Sequence, residues 1–148
     1  MSATEKFKDW NLTFNKPSGE QVDLPNDITA VSSEDLGKLM TQLTSWTDYV
    51  NSQMATAVLE ERAALKRKDY AENIMLIKRM GASAKGERIT IIKAEIATHP
   101  DIVELDNDYE EKYAYRKLVE MLMTNHERDL QLVSREITRR QNDNRRNF

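Results

Sequence analysis

Three cations stand in a row at Lys66-Arg67-Lys68, and four more, Lys78, Arg79, Lys85 and Arg88, follow within a few helical turns. A second basic group opens with Arg135, Arg139 and Arg140 and ends in Arg145 and Arg146. Side chains of this type, gathered locally in a chain of net charge -3, are the means of holding a polyanion such as single-stranded DNA. The same residues have a plainer use. They can pair with acidic neighbours, and arginines near a helix C-terminus offset its dipole. Tyr70, Tyr113 and Tyr115 offer rings on which bases could stack, although core packing is the simpler fate of the last two.

Charge runs along the chain in alternating blocks. Residues 1–63 carry net -5, residues 64–99 net +4, residues 100–134 net -5 and residues 135–148 net +3. Successive helical positions point about 100° apart, so Lys66, Arg67 and Lys68 cannot make one flat patch on a single subunit. They could surround a strand only if several subunits lined up.

Other chemistry is not indicated. Gly81-Ala82-Ser83-Ala84-Lys85-Gly86 has the glycine spacing of a phosphate-binding loop, but Glu87 stands where the phosphate-reaching lysine is needed. The run 106–110 resembles a calcium loop but has Glu111 and Lys117 where that loop needs glycine and glutamate. Glu95 and His99 are spaced to share a metal, with no third ligand, and His126 falls on an apolar seam as a core histidine would. There is no cysteine, which excludes disulfides, thiolate metal sites and cysteine nucleophiles. No catalytic cluster is recognisable, so an enzyme is not expected, nor is any cofactor or metal.

The elements that must carry these residues are helices. Glycine and proline fall at only seven positions, leaving 26–80 and 101–148 almost free of breakers. Ser32 or Ser33 starts the first long helix, with Glu34 and Asp35 matching its positive end. Leu36, Met40, Leu43, Trp46, Val50, Met54 and Ala57 mark its apolar face, which continues more weakly through Ala64, Leu65, Ala71, Met75 and Leu76 to a stop near Gly81. A short helix is expected over 87–97. Pro100 and Asp101 begin the last helix, whose near-heptad seam of Ile102, Leu105, Tyr109, Val119, Met123, Leu130, Val133 and Ile137 is interrupted by Lys112 and Arg116.

Ahead of the helices, Trp10, Leu12 and Phe14 alternate with polar residues, as do Val22 and Leu24, around the turn-forming Asn15-Lys16-Pro17-Ser18-Gly19. This predicts a small β-hairpin or extended arm over 1–31 that packs on a helix or a neighbouring subunit. The remainder, 32–148, is read as a helical oligomerisation and binding domain. An unbroken helix over 33–80 would be about 70 Å long against a compact radius of gyration of about 15 Å. The expected fold is therefore all-α, an elongated hairpin or bundle of long helices that shares its faces with other copies.

Over residues 36–141 the order of parts resembles the UvsY-type recombination mediators of T-even phages. The residues that carry the resemblance are Trp46 in a long amphipathic helix, the stretch Ala64-Leu65-Lys66-Arg67-Lys68-Asp69-Tyr70, the Gly81 to Gly86 loop, and Asp101-Ile102-Val103-Glu104-Leu105-Asp106. The resemblance implies a small helical protein that forms rings, binds single-stranded DNA and helps to load a recombinase; the protein partner expected is a RecA-like recombinase or a single-strand-binding protein. It carries Lys66, Arg67 and Lys68 over as DNA contacts; the C-terminal arginines rest on charge alone. Two other functions fit the same pattern: a phage virion or scaffold component that assembles through its helices, and a small adaptor or inhibitor of a host protein. No apolar run reaches transmembrane length and the N-terminus lacks a signal-peptide stretch, so the expected compartment is the cytoplasm, the host's if the chain is phage-encoded.

Overall fold

The computed structural model describes residues 2–10, 15–82 and 88–147, and all regular structure among them is helical. Four α-helices follow in order: α1 (Ala3–Asp9), α2 (Ser33–Ala82), α3 (Ile89–Ala97) and α4 (Pro100–Arg146), with a 3-10 turn at Ile28–Ala30. No described helix is long and apolar enough to cross a membrane.

The helix starts expected from capping chemistry are realised. Ser32 Oγ accepts from the Asp35 amide at 3.1 Å and so holds one of the free donors at the start of α2. Pro100 occupies the first turn of α4, and the neighbouring His99 Nδ1 accepts from the Asp101 amide at 3.2 Å. Helix α2 runs one residue past Gly81. Helix α3 starts at Ile89 rather than 87, residue 87 lying outside the described residues.

The expected hairpin is not formed among the described residues. Its first strand falls partly on 11–14, which are not described; Ala3–Asp9 is instead helical, started by a reciprocal pair of bonds between Ser2 and Glu5. Trp10 closes that helix with 70% of its surface exposed. The alternation at Val22 and Leu24 is real, but it serves an extended strap with no partner strand, laid with its apolar side chains on helices α2 and α4. Gly19, at φ +92, supplies the one left-handed position in the turn before that strap.

The chain divides into two compact units. The first comprises residues up to 53 together with 120–148. Here the start of α2 packs on the end of α4 around Leu36, Leu43 and Val133, with Val22, Leu24, Ile28 and Val31 closing one side. His126 is buried as expected; the Gln21 amide donates to its Nε2 at 3.0 Å, while Nδ1 has no partner among the described residues.

The second unit is residues 54–119. Ile92 and Ile96 of α3 pack with Ile102, Ala71, Met75 and Leu76. Along α2 the inward positions Ala57 and Ala64 are buried, and Ala71 partly so, seven residues apart. Small side chains at that interval leave room for a neighbouring helix to come close, and ion pairs flank the line. Arg67 meets Asp108 at 3.2 Å, Lys68 meets Asp106 at 2.8 Å and Lys112 meets Glu60 at 3.9 Å, while Arg116 bonds Glu61 through two nitrogens. The antiparallel pairing of α2 with α4 thus lays acidic residues of the third charge block on basic residues of the second.

Candidate nucleic-acid interface

Helix α2 splits the run Lys66-Arg67-Lys68 across its circumference. Lys68 turns inward, with 24% of its side chain exposed, between Asp106 and Glu72. The Asp106 hydrogen bond holds its ammonium above the ordinary lysine range. Arg67 lies on the flank in its pair with Asp108. Lys66 alone points fully outward, and it makes no ion pair or side-chain hydrogen bond among the described residues.

One turn beyond Lys66, Tyr70 stands 70% exposed. Lys66, Arg67, Asp69, Tyr70 and Asn73 together line a shallow depression on this side of the helix. Lys78, exposed and likewise without an ion pair among the described residues, lies three turns beyond Arg67 on the same flank. Arg79 is turned to Glu95, with Nη2 to Oε2 at 3.2 Å. Arg88 is exposed just before α3 and has no such partner among the described residues. Lys85 lies outside the described residues.

In the first unit the C-terminal arginines separate in the same way. Arg139 bonds Glu136 at 2.8 Å and Asp143 at 2.7 Å. Arg140 bonds Glu136 at 2.9 Å, donates to Ser33 Oγ at 3.1 Å and reaches the Ile28 and Thr29 carbonyls at 3.3 Å. It therefore ties the 3-10 turn and the start of α2 to the last helix. Arg135 faces solvent beside Met40, Leu130, Gln131 and Ser134, with no ion pair among the described residues.

Hydrogen bonds from Arg139 and then Arg140 hold the Glu136 carboxyl down at about 2. A depressed acid contributes stability that is complete above its ordinary value and fades as pH falls toward the folded value. The expected result is a melting temperature of the wild type that drops between about pH 4.5 and pH 2 more steeply than that of Glu136→Gln, read by circular dichroism across that range. Equal pH profiles for the two proteins would remove this account of the cluster.

The metal pair suggested by spacing is otherwise engaged: Glu95 holds Arg79, and His99 faces Asp101. No group of three metal-ligating side chains occurs among the described residues. Asn73, beside Tyr70, was not singled out by charge or motif; its signal is its place three residues after an exposed aromatic on a helix. Tyr113 and Tyr115, for which core packing was the simpler expectation, are exposed. Comparison with known families, with characterised proteins and with solved structures finds no match to this chain.

Proposed function

We propose that this chain is a non-catalytic helical protein that binds single-stranded DNA as a homo-oligomer in the host cytoplasm of a phage. Its role is that of a recombination mediator assisting a RecA-like recombinase, its protein partner being that recombinase or a single-strand-binding protein. The observation that carries the DNA reading is Tyr70, exposed between the unpaired Lys66 and the Asn73 amide, with Arg67 and Lys78 alongside. An open ring next to cations and an amide is the combination with which proteins hold a strand without reading its sequence. Most other candidate cations support it less, because they already face carboxylates.

Titration of a fluorescent dT oligonucleotide at several salt concentrations tests this. Weak binding that falls steeply with salt is expected, each neutralised phosphate adding about -0.7 to the log-log slope. Tyr70→Ala should weaken binding roughly tenfold. Lys66→Ala and Lys78→Ala should flatten the slope without loss of helix, while Arg145→Ala with Arg146→Ala should change little. Absence of binding to single strands at low salt would end the DNA reading.

The second reading, a virion or scaffold component, has its own support in large exposed apolar side chains such as Leu59, Ile77 and Leu118. Either reading expects a mass above the monomer in light scattering at micromolar concentration. A strictly monomeric mass would remove the assembly they share.

A further inference from the structure

Helix α2 carries a second seam on the side opposite its buried alanines. Within the second unit, Leu59, Ala63, Lys66, Tyr70, Asn73 and Ile77 follow one another at alternating steps of four and three, and all are exposed. Leu59, Tyr70 and Ile77 leave 64%, 70% and 72% of their surfaces open. An alternating three-four spacing is what a partner helix requires, and in such a seam the flanking charges set orientation and register.

Arg62 and Asp69 line one flank of this seam, and Glu60 and Arg67 the other. Arg62 and Asp69 make no ion pair or side-chain hydrogen bond among the described residues. Glu60 and Arg67 have partners in Lys112 and Asp108 but keep half or more of their side chains exposed. In a parallel pair of two such helices, Arg62 would meet Arg67 of the second copy on both sides. In an antiparallel pair centred between residues 64 and 65, Arg62 meets Asp69 and Glu60 meets Arg67, each twice, so all four flanking contacts are attractive. Leu59 then packs on Tyr70, the small Ala63 leaves room for the Lys66 stem, and Thr56 faces Asn73. Sliding this pair by one heptad would bring Leu59 against Ile77, but it would set Arg67 on Arg67 and Asp69 on Asp69.

We infer that this outer face of α2 is the docking surface for a second copy of the chain, antiparallel and two-fold, in the register that pairs Arg62 with Asp69. The inference rests on the homo-oligomer reading above and adds its surface and geometry. It has a consequence for that reading: Lys66 and Tyr70 lie within the seam, so a bound strand and a second copy exclude one another there. The homo-oligomer that holds a strand is therefore joined through other faces, and this contact belongs to the free protein.

The chain has no cysteine, so engineered ones report pairing cleanly. Thr56→Cys and Asn73→Cys, made as separate proteins and mixed under mild oxidation without DNA, should give the mixed disulfide. In the proposed register two Asn73→Cys side chains sit about 25 Å apart along the axis and should not join. Adding Asp69→Arg to both proteins should abolish the mixed product, and adding Arg62→Glu as well should restore it. A same-residue Asn73→Cys product would overturn the orientation. Preferential joining of Ala63→Cys to Asn73→Cys would overturn the register, and indifference to the charge reversals would overturn the electrostatic basis. None of these outcomes depends on DNA. Saturating dT oligonucleotide should then suppress the mixed disulfide; a cross-link that persists with the strand bound would move DNA off this face while leaving the seam in place.

Discussion

Leu43→Ala lowers the stability of the first unit by about 3 kcal/mol, whereas Leu59→Ala costs less than roughly 0.5 kcal/mol where the chain is monomeric. Both leucines lie on the same helix, and both read as good helix formers. Leu43 is wholly buried and packs with Leu36 and Val133, so truncation removes apolar atoms from a filled core and leaves a void. Leu59 is mostly in water and gives up little on truncation. Urea unfolding followed by circular dichroism, with the slope of the transition held constant, checks the difference. A cost below about 1 kcal/mol at Leu43 would mean that the core of the first unit is loosely packed there.

The contrast marks what could be read along the chain. In the first half of α2 the large apolar residues lie on one face, and that face is the buried one, so spacing alone found Leu36, Leu43, Trp46 and Val50. In the second half the inward stripe is Ala57, Ala64 and Ala71, while Leu59, Tyr70 and Ile77 point out. Alanine adds little to an apolar periodicity, and the large residues Leu59, Tyr70 and Ile77 belong to the opposite side, while Met75 and Leu76 still pack inward. The inward pattern therefore weakens toward Gly81 although the helix does not.

Charge was legible in quantity and not in pairing. The block that nets +4 does hold an exposed lysine, Lys66, beside an exposed tyrosine, Tyr70. Counting charge along the chain could not separate Lys66 from Lys68, because Asp106 and Asp108, which meet Lys68 and Arg67, come from α4, some forty residues later. Arg140 is a sharper case. It looks like a terminal arginine suited to a phosphate, yet it spends its donors on Glu136, Ser33 and two backbone carbonyls, contacts made by bringing the two ends of the helical region together. The period-two arm misled for a related reason. Alternation reports which side of an extended segment is apolar, and helices can cover that side as well as a second strand.

Arg116→Ala should destabilise the second unit by about 3 kcal/mol, more than any substitution among the exposed cations. In the sequence Arg116 and Lys112 interrupt an apolar seam; in the structure they fit it. The Arg116 guanidinium forks onto Glu61 through Nε and Nη2 and lies 5.2 Å from the centre of the Tyr113 ring, and the side chains of the ion pair are only 18% and 16% exposed. Removing the arginine strands the glutamate in a poorly hydrated place, a larger loss than the net worth of the pair. The reciprocal Glu61→Ala should cost less, because Arg116 keeps its other contacts, Tyr113 among them, and the double variant should cost clearly less than the two single losses added together. Replacing both with Leu and Met of matching length should come within about 1 kcal/mol of the wild type or exceed it, since a packed apolar pair escapes the desolvation that the ions suffer. Chemical unfolding of the four proteins reads each corner of that cycle. Losses that simply add would show that Arg116 acts through its other contacts, the Tyr113 ring among them, rather than through Glu61.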